Sequence, residues 1–249
     1  MIEIIRAKER HFSDFGWLKT YWLFSFSDYF DPDNIQFGAL RVFNDDTVLP
    51  GTGFPTHPHR EMEVITIVLS GSMTHQDDMG NKAVIGQYEV QRMSAGTGLF
   101  HSESNLSDEQ ACFLQIWVYP DETELEPSYE QRKFAPSSWR NRIVPLASGQ
   151  ELDDTITLHA DATIYRADLD HNHALPFKTT DSRRLFIYVI RGSLDVNGTH
   201  LKHNDQARID LEEKITITAS GDSSFVLIDV PSCKGWGYDR KTLLGQRWR

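Results

Sequence analysis

The apolar residues of this chain occur in short, β-rich segments that glycine, asparagine or aspartate separates. Segments of this length, with almost no long stretch of helical period, are typical of strands in an antiparallel sandwich or barrel. They disfavour a sheet in which strands alternate with helices. The sequence therefore predicts an all-β fold. The eight predicted strands are Ala39–Phe43, Val64–Leu69, Gln87–Met93, Ala111–Tyr119, Thr163–Leu169, Leu185–Ile190, Ile215–Thr218 and Ser224–Val230.

Two local signals add detail to this expectation. Asn197-Gly198 lies between two short apolar segments, and this dipeptide favours the tight turn of a β-hairpin. Residues Ser128–Phe134, near the middle of the chain, are rich in helix-forming side chains and predict one short helix.

A repeated pattern predicts two domains of one kind. Residues Val64–Met73 and Leu185–Leu194 both consist of a strand, one polar residue, Gly-Ser and the start of a new strand, and 121 residues separate Gly71 from Gly192. A repeat of about half the chain indicates duplication. The alternative is that Gly-Ser is merely a common hairpin turn. The predicted division is a first domain at 1–135, a second at 136–231 and a tail at 232–249.

Charge and cysteine content limit the partners and the compartment. The chain has 36 acidic and 25 basic residues, a net charge of −11, which disfavours direct contact with nucleic acid. No apolar run approaches the roughly 18 residues of a membrane helix, and the amino-terminal sequence lacks a signal-peptide pattern. The two cysteines, Cys112 and Cys233, form no CxxC motif. We therefore expect a cytoplasmic protein without disulfides or membrane contact.

Histidines at alternate positions indicate a metal site in the first half. His57 and His59 flank Pro58, and alternate residues of an extended segment lie on one face. Proline cannot donate a ladder hydrogen bond, which favours an accessible edge of the sheet. His101 and Glu103 repeat the spacing in a glycine-flanked segment. Three imidazoles and a carboxylate suit a first-row transition metal with open coordination positions.

The same spacing recurs where no metal site is predicted. His171 and His173 lie in a polar stretch without a companion histidine and carboxylate, so we interpret them as a solvated loop. The repeat offset places Lys178, Thr180 and Arg184 at the positions of the first ligand motif. Because none of these replaces a metal ligand and two would repel a cation, the second domain is predicted to be metal-free.

Several longer motifs resemble the pirin family of the cupin superfamily, whose members contain two β-barrels. The motifs that carry the resemblance are Phe24–Pro32, Leu40–Asp46, Thr56–Glu63, His75–Asn81, Met93–Glu103, Gln115–Val118 and Tyr129–Arg132. They cover nearly all of the first half, whereas the second half resembles only a degenerate cupin. The resemblance implies two tandem cupin (jelly-roll) barrels, a bicupin, with His57, His59, His101 and Glu103 as ligands of one divalent metal per chain. Spacing alone leaves Glu63 as an alternative carboxylate, and Glu61 and Glu63 are candidates for orienting the imidazoles.

The resemblance to bacterial pirin-like quercetin 2,3-dioxygenases also implies an activity. A quercetinase opens the central ring of a flavonol with O2 and releases CO. Fe(II) is the first expectation for the metal; Cu, Mn, Ni and Co also fit such ligands, and Zn would bind without a redox role. Glu103 is the candidate base for the 3-hydroxyl of the flavonol, because a nearby cation lowers the pKa of a phenol.

Apolar residues beside these motifs are candidates for the substrate pocket, and two other functions remain open. Phe54, Met93, Leu99 and Phe100 either line a flat aromatic pocket or belong to the barrel core. One alternative function is a regulatory, redox-sensing protein that binds a protein partner. The other is a dioxygenase of a different aromatic metabolite.

Overall fold

The computed structural model describes residues 1–232, which form 22 β-strands, two short 3-10 helices and no α-helix. Strands of the first half are β1 Ile2–Ile5, β2 His11–Asp14, β3 Leu18–Trp22, β4 Leu40–Val48, β5 Thr52–His59, β6 Glu63–Ser70, β7 Ser72–Asp77, β8 Lys82–Gly86, β9 Glu89–Ser94, β10 Leu99–Asn105, β11 Ala111–Val118 and β12 Ser128–Lys133. Strands of the second half are β13 Val144–Ser148, β14 Ile156–Thr157, β15 Thr163–Leu169, β16 Ala174–Lys178, β17 Arg183–Arg191, β18 Ser193–Val196, β19 Thr199–Lys202, β20 Gln206–Asp210, β21 Lys214–Ala219 and β22 Ser223–Pro231. The 3-10 helices are Ala7–Glu9 and Pro136–Trp139.

The strands form two barrels, each with one seven-stranded and one four-stranded sheet. In the first barrel the large sheet has the order β12-β9-β6-β11-β4-β3-β2 and the small sheet β5-β10-β7-β8. In the second barrel the orders are β1-β20-β17-β22-β15-β13-β14 and β16-β21-β18-β19. The prediction of an all-β fold with two tandem cupin barrels is confirmed.

Strand β1 crosses from one half of the chain to the other. It pairs antiparallel with β20, so the first strand of the sequence completes the large sheet of the second barrel. In the first barrel, β12 occupies the matching place beside β9. The linear division at 135 stays a prediction, and the predicted tail lies outside the described residues except for Ser232.

All eight predicted strands form, and the predicted turn lies where expected. Asn197 and Gly198 have φ values of 48° and 82°, and they join β18 to β19 in a tight hairpin. The helix predicted at Ser128–Phe134 is wrong, because residues Ser128–Lys133 form β12 along β9. Pairing with a sheet edge outweighs the weak helix preference of these side chains.

Alternation along the strands directs buried side chains to three interiors, namely the space between the barrels, the inside of the first barrel and the inside of the second. Phe43, Ile65 and Leu114 of the first large sheet pack with Phe186 and Ile228 of the second. This cluster lies between the two barrels, and the rings of Phe43 and Phe186 are 5.1 Å apart. The inside of the second barrel is one apolar cluster, whereas the inside of the first is divided into two. The strands carry polar residues between those two clusters.

Candidate metal centre and aromatic cavity

Strands β5 and β10 bring three predicted ligands together inside the first barrel. His101 lies opposite His57 in the antiparallel register, and His59 is two residues further along β5. The Nε2 atom of His57 is 3.1 Å from Nε2 of His59 and 3.0 Å from Nε2 of His101. The three residues could together hold one metal ion.

The imidazoles of this cluster are neutral near pH 7. Burial lowers the pKa of His59 to about 3, and it also lowers the pKa of His57 and of His101. The backbone carbonyl of Pro55 lies 2.8 Å from Nδ1 of His57, which can donate to it and leave the Nε2 lone pair free. Neutral imidazoles with free nitrogens are the form that binds a metal.

The spacing of the nitrogens fits a metal. Two ligands that are each about 2.1 Å from one ion and lie at right angles are about 3.0 Å apart, which matches the separations here. A single proton bridges only one pair of nitrogens, whereas a cation satisfies all three lone pairs. The donor set is therefore suited to a transition metal with open positions.

Glu103 lies beside His101 but belongs to a second cluster. The carboxyl group of Glu103 forms a cluster of potential ligands with His75 and His101. A register shift between His101 and Glu103 interrupts the pairing of β10 with β5. Gln115 Nε2 donates a 2.9 Å hydrogen bond to Oε2 of Glu103, while the buried Oε1 has no hydrogen-bond partner. A buried unpartnered carboxylate oxygen fits a role as a ligand. The complete set of four ligands stays a prediction.

A row of polar side chains crosses the large sheet beneath this carboxyl. The register places Asn44, Gln115, Thr66 and Gln91 side by side on β4, β11, β6 and β9. Burial raises the pKa of Glu103 to about 7, although the polar groups of Gln115, Gln91 and Thr66 oppose the rise. The carboxyl therefore takes up and releases a proton near neutral pH.

A cavity of about 320 Å³ opens beside the histidines and has largely aromatic walls. Its aromatic residues are Phe15, Trp17, Trp22, Phe26, Phe54 and Trp117. Its polar residues are Ser27, Asn44, Asp46, His57, His59, Glu103 and Gln115. The volume lies within the usual range for small-molecule sites, and flat aromatic walls suit a planar ring system.

Of the four apolar residues predicted for the substrate pocket, one lines this cavity. Phe54 lines it and packs edge-to-face on Trp17, with ring centroids 5.1 Å apart. Phe100 alternates to the outside of β10 and is 52% exposed. Met93 and Leu99 are buried in the apolar cluster at one end of the barrel interior. Residues Met93, Leu99 and Phe100 therefore do not line the cavity.

The carboxyls of Glu61 and Glu63 have partners away from the imidazoles. The Glu61 carboxylate accepts the backbone N–H of Glu124, and Glu63 Oε2 accepts the N–H of His159 at 3.2 Å. A regular strand would place both on the face of His59. Glu61 has a φ of 50° in the break between β5 and β6, and this break shifts the alternation so that Glu63 is directed to the interface between the barrels.

Sequence reasoning assigned no role to four residues that contribute to the site. Asn44 and Asp46, on one face of β4, reach the cavity floor, and His75 and Asp77 on β7 lie behind His101. The signal available was alternation, because each pair is spaced like the predicted ligands. Burial raises the pKa of Asp46 to about 8, with the hydroxyl of Thr20 opposing the rise.

The second half of the chain holds no comparable cluster among the described residues. His171 and His173 lie in a turn, as interpreted from sequence. Two tandem jelly-roll barrels define a bicupin, and among the described residues the histidine cluster lies inside the first barrel. Residues 5–118 match the Pirin family model, and residues 145–230 match the model described as the quercetinase C-terminal cupin domain.

Similarity to known proteins extends over nearly the whole chain. The quercetin 2,3-dioxygenase of Escherichia coli K12 is 40% identical over 232 residues, covering 93% of this chain and 99% of that protein. A pirin-like protein of Caulobacter vibrioides is 41% identical over 218 residues, covering 87% and 94%. The chain therefore belongs to the pirin family, and its predicted family is confirmed.

A solved relative contains a metal. The structure of YhhW from Escherichia coli matches with a TM-score of 0.90 at 39% identity, covering 94% of this chain and all of that chain. Its complex with nickel(II) matches with a TM-score of 0.88 at 40% identity, covering 93% and 99%. In this chain, no helix among residues 1–232 is long and apolar enough to cross a membrane.

Proposed function

We propose that this chain is a metal-dependent quercetin 2,3-dioxygenase. The observation that carries the proposal is the junction of two features, since the aromatic cavity is lined by His57, His59 and Glu103 of the ligand cluster. A planar flavonol bound between the aromatic walls would place its 3-hydroxyl oxygen beside the metal ligands. The relatives named quercetin 2,3-dioxygenase support this choice of substrate.

His57, His59, His101 and Glu103 would hold one divalent ion, with Fe(II) as our first choice and Ni(II) as the alternative that the nickel-bound relative supports. The ion would supply Lewis acidity toward a hydroxyl of the substrate and, when redox-active, reactivity with O2. The aromatic walls exclude water and orient the flavonol ring. The carboxyl of Glu103, which lines the cavity beside the ligand histidines, would accept the proton of the 3-hydroxyl.

The decisive experiment combines metal analysis with an assay. Protein reconstituted separately with Fe(II), Ni(II), Mn(II), Co(II) or Cu(II) is incubated aerobically with quercetin. We expect one metal per chain, loss of the flavonol absorbance and release of CO. Absence of turnover with all five metals would exclude quercetinase activity and leave a regulatory role or another aromatic substrate.

Two phenylalanines provide a matched test of the cavity. Phe54→Ala removes a wall of the cavity, so we expect the KM for quercetin to rise by about tenfold, in line with the loss of one aromatic contact. Phe100→Ala removes the same side chain from the outer face of β10 and should leave KM unchanged. Equal effects of the two substitutions would place the substrate elsewhere.

Glu103→Gln tests the proposed base. The amide keeps an oxygen for the metal but cannot accept the hydroxyl proton. We expect turnover to fall by about 100-fold or more while the metal content per chain is largely retained. Unchanged turnover would assign the proton transfer to another group.

A further inference from the structure

A chain of three side chains extends from the candidate metal centre on β10 to the neighbouring strand β7 of the small sheet. Nδ1 of His101 is 3.4 Å from Nδ1 of His75, and Nε2 of His75 is 3.0 Å from Oδ2 of Asp77. All three residues are buried. The register explains their proximity, because β10 lies between β5 and β7 and places His101 opposite both His57 and Asp77.

The surroundings of Asp77 fix the direction of the hydrogen bond between His75 and Asp77. Its Oδ1 accepts the backbone N–H groups of Met79 at 3.1 Å and Asn81 at 2.9 Å, and its Oδ2 accepts Nδ2 of Asn81 at 2.8 Å. A group surrounded by three donors is an acceptor. The remaining contact to Asp77 must therefore be donated by Nε2–H of His75.

The direction of the hydrogen bond between His101 and His75 follows from this assignment. A neutral imidazole carries one proton, so His75 with its proton on Nε2 presents a lone pair at Nδ1. Nδ1 of His101 faces that lone pair and must donate its own proton to it. His101 then has its lone pair on Nε2, the nitrogen that lies 3.0 Å from Nε2 of His57. The ring of His75 is held in place by stacking on Tyr129, with centroids 4.8 Å apart.

We propose that Asp77 and His75 are positioning residues that fix the Nδ1–H tautomer of His101 and so preset its Nε2 atom as a metal ligand. The proposal rests on the metal site of the proposed function but not on its substrate. Ligating histidines are usually oriented by a carboxylate or a carbonyl, whereas here a second histidine transmits the preference of a carboxylate. His75 belongs with His101 and Glu103 to the second cluster of potential ligands, so the test must also separate positioning from ligation.

Asp77→Asn keeps the size of the side chain but should reverse the direction of both hydrogen bonds that link residues 77, 75 and 101. The two backbone N–H groups that now reach Oδ1 would retain the amide oxygen, which leaves the NH2 group facing His75, and the side-chain amide of Asn81 would turn its oxygen toward that NH2 group. His75 would then accept at Nε2 and donate from Nδ1, and His101 would carry its proton on the metal-facing nitrogen. We expect Co(II) affinity, measured by competition with a chelator, to fall by about 10- to 100-fold. Asp78→Asn is the control, because it removes the same charge from the neighbouring exposed position.

The spectrum of the saturated protein distinguishes positioning from ligation. With Asp77→Asn, saturation should still give one Co(II) per chain and the absorption spectrum of the unsubstituted protein. Affinity equal to that of the unsubstituted protein and of the Asp78→Asn variant would overturn the proposal. So would a changed spectrum at saturation, which would mean that the set of ligands differs.

A measurement on the unsubstituted chain tests the tautomers directly. In metal-free protein labelled with 15N at histidine, two-bond proton–nitrogen correlations near pH 7.5 report which ring nitrogen carries the proton. We expect Nδ1–H for His101 and Nε2–H for His75. The opposite tautomer of His101 would overturn the proposal. This result does not depend on quercetin turnover, so it stands apart from the outcome of the activity assay.

Discussion

The two barrels share the order of their central strands and differ in the side chains that fill them. Across the large sheet of the first, the register joins Asn44, Gln115, Thr66 and Gln91. When the two Gly-Ser turns are aligned, the corresponding row of the second barrel consists of Tyr165, Leu227, Ile187 and Ala207. A polar row that is costly to bury occurs only where a cavity and a ligand cluster need it.

The small sheets differ in the same way. His101 and Glu103 on β10 correspond to Ile215 and Ile217 on β21, and His75 on β7 corresponds to Val196 on β18. The inside of the second barrel is thus continuous hydrocarbon. The second barrel therefore has a continuous apolar interior, whereas the first carries buried polar groups between two apolar clusters.

The largest expected effect comes from exchanging one residue of the row between barrels. Leu227→Gln places in the second barrel the residue that the first barrel has as Gln115. It removes apolar burial and leaves an amide without partners, at a cost of about 4 kcal/mol in the free energy of unfolding. Urea denaturation of metal-free protein measures this cost.

The reciprocal substitution, Gln115→Leu, is the matched variant. It removes one hydrogen bond to Glu103 but adds apolar burial, so we expect a change within about 1 kcal/mol. Equal costs for the two substitutions would contradict the distinction between a polar and an apolar interior.

A second pair of substitutions tests what the barrels have in common. Gly71 and Gly192 begin the corresponding hairpins with φ values of 70° and 79°, and a Cβ atom at either would lie 2.4 Å from a backbone oxygen. Gly71→Ala and Gly192→Ala should therefore each cost about 3 kcal/mol, from the left-handed backbone together with the clash. Thermal unfolding followed by calorimetry measures both.

Gly198→Ala separates the two contributions. Gly198 has a φ of 82°, but a Cβ atom at this position would meet nothing within 4 Å, so only the backbone cost of about 1 kcal/mol remains. A cost at Gly71 or Gly192 no larger than that at Gly198 would show that the close approach is relieved by small shifts of the neighbouring strand.

Sequence predicted the architecture well because strand length, turn residues and the Gly-Ser repeat are local signals. It also predicted the convergence of His57, His59 and His101, since alternation places such residues on one face. It misplaced Glu61 and Glu63, because the left-handed backbone at Glu61 breaks the alternation. Phe100 was misassigned as a pocket residue although it alternates with His101. The pairing of β1 with the second barrel and the hydrogen bonds of His75 depend on contacts between distant strands, which one sequence does not reveal.

The last difference between the barrels concerns a buried acid that the second barrel lacks. The register places Asp46 of the first barrel at the position of Ala167 in the second. Burial raises the pKa of Asp46 from 3.8 to about 8. Between these pH values the folded protein retains a proton that the unfolded chain has released, so the free energy of unfolding falls as pH rises from 4 to 8.

Asp46→Asn removes this dependence because an amide does not titrate. We expect the metal-free variant to be more stable than the unsubstituted chain at pH 8, and the difference to vanish near pH 4. Urea denaturation at several pH values measures it. Asp153→Asn, at an exposed position of the second half, is the control and should leave the pH profile unchanged. If the Asp46→Asn variant kept the full pH dependence, Asp46 would not be its source. The dependence would then be assigned to Glu103, whose pKa burial also raises.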